Sequence, residues 1–186
     1  MKAMKLHRDD TALVIIDVQE KLMPVIDGSA NVILNLERLV HGCHILGVPV
    51  LLTEQYVKGL GPTVDRVRRA LEATGGYAPV EKSCFSAYGC EAFSAGLAAL
   101  GRTQILIAGV ETHVCVYQTV EDLLARDFAV SVIADAVSSR TAQNREIALQ
   151  RMASDGAKRT STEMALFELT VAAGTDEFRA ISRLVK

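Results

Sequence analysis

Short apolar runs alternate with longer amphipathic stretches along this chain. Four runs rich in Val, Ile, Leu and Ala predict buried strands, at residues 12–16, 48–52, 105–108 and 129–134. Shorter runs near 79–82 and 158–161 predict two more strands. After the first strand, apolar residues at helical spacing predict a helix that is capped around Ser29 and Asn31 and ends at Gly47.

The same spacing predicts further helices, at about 63–73, 90–100, 113–126, 142–155, 163–172 and 175–184. Gly101 and Gly156 fit helix C-termini. Strands that alternate with helices in this way indicate right-handed crossovers. We therefore predict an α/β fold, a doubly wound (Rossmann-like) parallel β-sheet with helices on both faces in three α/β/α layers. It is predicted as a single domain over residues 1–186, with its core at about 10–172.

Composition and charge narrow the class of protein. Hydrophobic residues make up 49% of the chain and aromatic residues only 5%, so aliphatic side chains must build the core. The net charge is −2, and a solvated helix face explains the stripe of Arg66, Arg68 and Arg69, so nucleic acid is not a predicted partner. Segment 1–10 is basic and then acidic, and the apolar run at 12–16 is too short for a signal peptide or a membrane span. These features predict no membrane association and a cytoplasmic location.

The cysteines and histidines form no recognisable metal or redox motif. The cysteines include no CxxC pair, and a chain of this size does not need disulfides, so all are predicted to be thiols: Cys43, Cys84, Cys90 and Cys115. Neither HExxH nor His-x-His occurs in the sequence. We predict no metal and no other cofactor.

Doubly wound sheets bind ligands outside the carboxyl ends of their strands, so the residues that end each apolar run are candidates for chemistry. They are Asp17, Glu54, Lys82, the turn at 109–115 and Asp135. Asp17 fits either a general base or a cap for the following turn. If Lys82 lies in a crevice beside a carboxyl group and a thiol, its positive charge would favour the ionised form of both. The alternative is that Lys82 is a surface lysine paired with Glu81.

The run GVETHVCVYQTVEDLLAR places a cysteine near the start of a predicted helix. Thr112 is predicted to cap this helix, with Cys115 in its first turn. Unpaired amides and the helix dipole are expected to lower the pKa of a thiol there, and the same amides can hold an oxyanion. The alternative is a packing role, as predicted for Cys43 and Cys90. His113 is not predicted as the base, because residues two apart on a helix point to different faces.

Three segments together, VIIDVQEKL, VEKSCFSAYGC and GVETHVCVYQT, resemble the isochorismatase-like cysteine hydrolases, the superfamily that includes nicotinamidases. The similarity runs from about residue 13 to about residue 168. The resemblance implies that Asp17 is the base, that Lys82 stabilises the ionised pair and that Cys115 attacks a carbonyl. It implies an amidase-type hydrolase, which cleaves the C–N bond of a small-molecule amide through a covalent intermediate.

The resemblance also implies an oxyanion hole made by the backbone amides of Glu111 and Cys115, next to a cis peptide bond between Val110 and Glu111. Nicotinamidases of the family carry an Asp-x-His metal site after the second strand, whereas this chain reads TEQYVKGLG and has no histidine there. Members of the family usually form homo-oligomers, dimers or larger. Four residues near strand ends are predicted to line the substrate pocket, namely Gln19, Glu54, Tyr56 and Phe85.

Three rival interpretations remain open at this point. A dinucleotide-binding fingerprint would use Gly59 and Gly61, but Val64 stands where its third glycine belongs. A redox protein would use Cys84 and Cys90, although five residues separate them. A non-catalytic or redox-sensing binding protein could retain the fold without turnover.

Overall fold

The computed structural model describes residues 5–186, so the first four residues of the predicted basic segment lie outside the described part. Six parallel strands form one sheet in the order β3-β2-β1-β4-β5-β6. The strands are β1 (Thr11–Ile16), β2 (Val50–Gln55), β3 (Pro79–Lys82), β4 (Gln104–Val110), β5 (Ala129–Ser138) and β6 (Lys158–Thr160). The helices are α1 (Ser29–Leu46), α2 (Val57–Leu60), α3 (Asp65–Ala73), α4 (Glu91–Leu100), α5 (Tyr117–Leu124), α6 (Ala142–Ser154), α7 (Thr162–Thr170) and α8 (Asp176–Val185).

Both faces of the sheet are buried, because successive side chains of a strand point to opposite faces. On β1, Leu13 and Ile15 pack into one core with α1, α3, α7 and α8. Val14 and Ile16 pack into a second core with α4, α5 and α6. The predicted three-layer α/β/α single domain is thereby confirmed.

The structure corrects the predicted end of β5. The strand continues to Ser138, beyond the apolar run that ended at 134. Asp135 therefore lies inside a strand and not at its end. Its Oδ1 accepts hydrogen bonds from the backbone amide and the hydroxyl of Thr162, at 2.8 and 3.0 Å. This carboxylate holds the start of α7 and is separate from the chemistry considered below.

The start of α1 also differs from the prediction, whereas two helix ends agree with it. The N-cap is Gly28 in a left-handed conformation, and neither Ser29 nor Asn31 supplies a side-chain cap. Gly47 ends α1 and Gly101 ends α4, both with positive φ, as predicted. Among residues 5–186, no helix is long and apolar enough to cross a membrane.

The sheet order reverses between β1 and β4, and this brings the ends of β1, β2, β3 and β4 to one crevice. Gly109 permits the close pairing of β4 with Ile16 at the end of β1. Its φ is +112°, and a Cβ built on it would lie within 2.8 Å of three backbone atoms of Ile16. A side chain at this position would separate the two strand ends that frame the crevice.

Substituting Gly109 by Ala tests this close approach. Backbone strain and overlap together should lower the free energy of unfolding by about 3 kcal/mol or more. Gly47→Ala is the matched control, because φ is +68° there but nothing lies within 4 Å of the built Cβ. Its expected cost is about 1 kcal/mol. Urea unfolding measures both variants, and equal losses would mean that the β1–β4 approach is not tight.

Candidate active site

Asp17 is fully buried where β1 ends, in a left-handed backbone conformation with φ of 52°. Its backbone amide donates to the Thr53 carbonyl at 3.2 Å, which keeps it beside β2. Its Oδ1 accepts from the Thr53 hydroxyl at 2.7 Å, and its Oδ2 accepts from Lys82 Nζ at 2.7 Å. Both carboxylate oxygens are therefore held from neighbouring strands, and the side chain is not a simple turn cap.

Lys82, the last residue of β3, points its ammonium into the same crevice. The Lys82 and Asp17 side chains have no exposed surface, which excludes the alternative of a surface lysine paired with Glu81. Nζ also lies 2.7 Å from Gln55 Oε1 and 3.1 and 3.2 Å from the carbonyls of Phe85 and Cys84. These acceptors compensate the loss of hydration that a buried ammonium suffers.

Cys115 lies in a π-helical turn, Thr112–Val116, that directly follows β4 and precedes α5. The Val110–Glu111 peptide bond before this turn is cis, in agreement with the family resemblance. The predicted cap by Thr112 is wrong, because Glu111 is the N-cap residue and no side chain caps the turn. Among the described residues, the buried Thr112 hydroxyl has no hydrogen-bond partner.

The thiol of Cys115 is buried against the Asp17 carboxylate. Burial first, and then the negative charge of Asp17, raise the pKa of the Cys115 thiol to about 12, and the Lys82 ammonium only partly opposes this. Glu111 contributes a further negative charge that raises the pKa of the thiol. The expected lowering of the pKa is therefore wrong, since burial and the carboxylate outweigh the lysine. The resting thiol is neutral and lies near the Asp17 carboxylate.

Thr119 joins the cysteine turn to the loop that follows Lys82, a role that sequence reasoning missed. This fully buried hydroxyl donates to the Cys115 carbonyl at 2.7 Å and accepts from the Ala87 amide at 2.9 Å. The carbonyls of Cys84 and Phe85, which hold Lys82, lie in the same loop. Thr119 thus fixes the turn that contains Cys115 relative to the loop whose carbonyls bond to the Lys82 ammonium.

Gln19 and Glu54, two of the predicted pocket residues, are occupied by structural contacts. The Gln19 side-chain amide bonds to both the backbone amide and the carbonyl of Gln55, at 2.7 and 2.9 Å. Glu54 Oε1 accepts from the Thr63 amide and hydroxyl, each at 2.7 Å, and from the Tyr77 hydroxyl at 3.1 Å. Glu54 therefore fastens the segment after α2 and does not face Lys82, whereas its neighbour Gln55 does.

Tyr56 and Phe85, the other two predicted pocket residues, flank Lys82 at the rim. The Tyr56 amide donates to the Lys82 carbonyl at 3.0 Å, and Phe85 supplies a carbonyl to its ammonium. The two residues are 63% and 55% exposed, so neither belongs to the core. A surface cavity of about 360 Å³ opens beside Tyr56 and is lined by Val57, Lys58, Glu81, Lys82 and Ser83.

The side chains of Glu111 and His113 bond to the segment after β5. Glu111 Oε2 accepts from Arg140 Nε at 2.9 Å, and His113 Nδ1 lies 2.9 Å from the Ser139 hydroxyl. The Glu111 carboxylate is thus bound to Arg140, on the segment after β5. Within residues 5–186, no three His, Cys, Asp or Glu side chains are placed to hold a metal, and the described cysteines are free thiols.

Comparisons with known proteins agree on one family. A family model described as the isochorismatase domain matches residues 11–164. Isochorismatase domain-containing protein 2 of Danio rerio is 37% identical over 97% of this chain and 89% of its own length. Isochorismatase domain-containing protein 1 of Salmo salar is 39% identical over 91% of this chain, which spans only 59% of that relative. A Phytophthora sojae relative named secreted isochorismatase effector Isc1 is 38% identical, over 95% of this chain and 84% of its own length.

Known structures share the fold. MAR1 ribonuclease from Caenorhabditis elegans superimposes with a TM-score of 0.90 and 32% identity, over 98% of this chain and 92% of that one. The YcaC product of Escherichia coli, described as an octameric hydrolase of unknown specificity, gives a TM-score of 0.91 over 99% of this chain and 92% of that one. Its identity of 22% supports similarity of fold alone.

The titration of Cys115 tests the electrostatics of the site. Ultraviolet thiolate absorbance, taken as wild type minus Cys115→Ser, should show no thiolate from this residue below about pH 10. Asp17→Asn removes a negative charge that raises the pKa of Cys115, so its titration should move to lower pH. Cys43, whose pKa burial raises to about 12, contributes equally to both samples and cancels. A wild-type midpoint near the free-thiol value of about 8.5 would contradict this account of the site.

Proposed function

The chain belongs to the isochorismatase family, and we propose that it is a cysteine hydrolase that cleaves the C–N bond of a small amide. The observation that carries this proposal is the buried Cys115 thiol, whose pKa is raised by the Asp17 carboxylate, together with the buried Lys82 ammonium that holds this carboxylate in place. A nucleophile, its proton acceptor and a fixed positive charge are the parts that acyl transfer requires. In this proposal they are Cys115, Asp17 and Lys82.

In the first half-reaction, Cys115 Sγ attacks the amide carbonyl carbon while its proton passes to Asp17. The carbonyl oxygen becomes an oxyanion, which the backbone amides of Glu111 and Cys115 would hold. The C–N bond then breaks, and Asp17 returns the proton to the departing nitrogen. An acyl group remains on Cys115 as a thioester, and the amine or ammonia leaves.

In the second half-reaction, Asp17 takes a proton from water as the water oxygen attacks the thioester carbonyl. The C–S bond breaks, the acid leaves, and Asp17 returns a proton to the Cys115 sulfur. The positive charge of Lys82 offsets the negative charge that moves between the carboxylate and the sulfur in both halves. No external oxidant, reductant or cofactor enters the cycle.

The rim supports a substrate with an apolar part. Tyr56 and Phe85 are both exposed, and their backbones bond to Lys82, so their side chains can contact a group outside the reacting amide. We assign them a substrate-contact role. Gln19 and Glu54 are not proposed as substrate contacts, because their hydrogen-bonding groups are already used within the protein.

The proposal also covers the oligomeric state, the location and the substrate class of the protein. We propose that it forms a homo-oligomer, which light scattering measures, and that it is located in the cytoplasm, which cell fractionation measures. We propose that its substrates are small molecules. A monomer in solution would contradict the proposed oligomer. Secretion of the protein, which the name of the Phytophthora relative states for that relative, would contradict the proposed location.

The substrate class also needs a test against RNA, because the MAR1 neighbour is called a ribonuclease. A thiol with a single carboxylate suits carbonyl chemistry, so we expect no RNA cleavage.

A panel of small amides tests the proposed function. Wild type should release acid from at least one amide, and Cys115→Ser should lose activity by about a thousandfold or more. Cys90→Ser is the matched control and should retain activity, because Cys90 is a partly exposed thiol whose sulfur donates to the Glu81 carbonyl at 3.7 Å. Mass spectrometry of quenched reactions should find the acyl group on Cys115.

Four outcomes would count against amide hydrolysis by Cys115. Undiminished turnover by Cys115→Ser, or an acyl group on another residue, would exclude Cys115 as nucleophile. The absence of both turnover and adduct across the panel would favour the alternative, a non-catalytic or redox-sensing binding protein. Cleavage of RNA by wild type but not by Cys115→Ser would indicate a different substrate class.

A further inference from the structure

We propose that Gln55 is a positioning residue that holds the Lys82 ammonium through an uncharged acceptor, and that its neutrality preserves the positive charge felt by Cys115. The inference deepens the proposed function, on which its catalytic meaning rests. Its test uses the reactivity of Cys115 towards a simple alkylating agent, so it does not depend on a known substrate.

Gln55 is held in register with Lys82 and orients its amide in one way. It is the last residue of β2 and is paired with Lys82 in the β2–β3 ladder. Its side-chain Oε1 accepts from Lys82 Nζ at 2.7 Å, while its Nε2 donates to the Ser83 carbonyl at 2.8 Å. If the amide were flipped, its NH2 group would face the Lys82 ammonium, and its oxygen would face the Ser83 carbonyl oxygen. Only the observed orientation therefore gives both ends of the amide a hydrogen bond.

The backbone of Gln55 is clamped by the side chain of Gln19. Gln19 Oε1 accepts from the Gln55 amide at 2.7 Å, and Gln19 Nε2 donates to the Gln55 carbonyl at 2.9 Å. Gln19 also donates to the Gly61 carbonyl, which ties the clamp to the segment after α2. Gln19 itself is fully buried. The predicted pocket residue Gln19 thus acts on the site through Gln55.

The acceptors around Lys82 outnumber its donors. An ammonium has three N–H groups. Nζ faces four acceptors within 3.2 Å, in Asp17, Gln55, Cys84 and Phe85. Only the Asp17 acceptor is charged. Lys82 therefore has no hydrogen left for a substrate, and it acts on Cys115 through its charge.

A carboxylate at position 55 would change this balance. The charged groups that act on the Cys115 thiol are Asp17 and Glu111, which raise its pKa, and Lys82, which lowers it. A second carboxylate in contact with Lys82 would cancel the only favourable charge. Successive side chains of β2 point to opposite faces of the sheet. Glu54 therefore points away from Lys82 and bonds to Thr63 and Tyr77, whereas the neutral side chain of Gln55 points towards Lys82.

Gln55→Glu and Gln55→Met separate the charge from the hydrogen bond. We expect the rate of Cys115 alkylation by iodoacetamide near pH 8 to fall about tenfold or more in Gln55→Glu. Gln55→Met leaves three acceptors for three donors, so its rate should fall by less. Thermal unfolding should rank the two variants in the reverse order, because Glu keeps the contact with Lys82 and Met loses it. Peptide mapping assigns the alkylated residue.

Two further variants complete the test. Gln143→Glu adds a charge on the exposed first turn of α6 and should leave the rate unchanged. Lys82→Met should slow alkylation, because Gln55 is argued to act through Lys82. A wild-type rate in Gln55→Glu, a larger loss in Gln55→Met than in Gln55→Glu, or an unaffected Lys82→Met would each overturn the proposal. The alkylation rates do not depend on amide hydrolysis. The amide panel can therefore fail while the alkylation rates still support the role of Gln55, and the reverse also holds.

Discussion

The buried ion pair between Lys82 and Asp17 is the interaction on which the rest of the site depends. Removing two charges from water costs several kcal/mol per ion, and their attraction offsets this only when the remaining donors and acceptors are also satisfied. Here the Thr53 hydroxyl, the Gln55 amide and two loop carbonyls complete the pair. Because these partners come from β2 and from the loop after β3, the pair exists only when the sheet edge is assembled.

The pair in turn determines the state of the thiol. Asp17 lies at the end of β1 and Cys115 just after β4, the two strands between which the sheet order reverses. Gly109 lets these strand ends approach closely, and Thr119 fixes the cysteine turn to the loop that carries the lysine carbonyls. The result is a thiol that keeps its proton at neutral pH beside the Asp17 carboxylate.

The sequence predicts the fold because the fold depends on local patterns, and the same patterns mark Asp17, Lys82 and Cys115 as candidates, which the family resemblance then groups into one site. Apolar runs mark the strands, and Asp17, Lys82 and Cys115 each stand where a run ends or just beyond. The sequence does not reveal the contacts between segments that are distant along the chain. Predicted strand β2 ended at 52, whereas the strand continues through Gln55, and along a strand a shift of one residue changes the face. Sequence reasoning therefore selected Glu54 in place of Gln55.

The direction of the thiol pKa was also beyond the local pattern. A helix start suggests a lowered pKa, but the balance depends on burial and on a carboxylate nearly a hundred residues away in sequence. Thr119 carries no sequence signal of its own, since a threonine on the buried stripe of an amphipathic helix is ordinary. Its role follows only from the packing of the loop after β3 against α5.

The most direct test of the account is the pH dependence of Cys115 alkylation in wild type and Asp17→Asn. If Asp17 accepts the thiol proton during attack, the wild-type rate should be nearly flat between about pH 6 and pH 9, while the Asp17→Asn rate rises with pH as a simple thiolate reaction does. A wild-type rate that rises tenfold per pH unit, parallel to the variant, would contradict Asp17 as the proton acceptor.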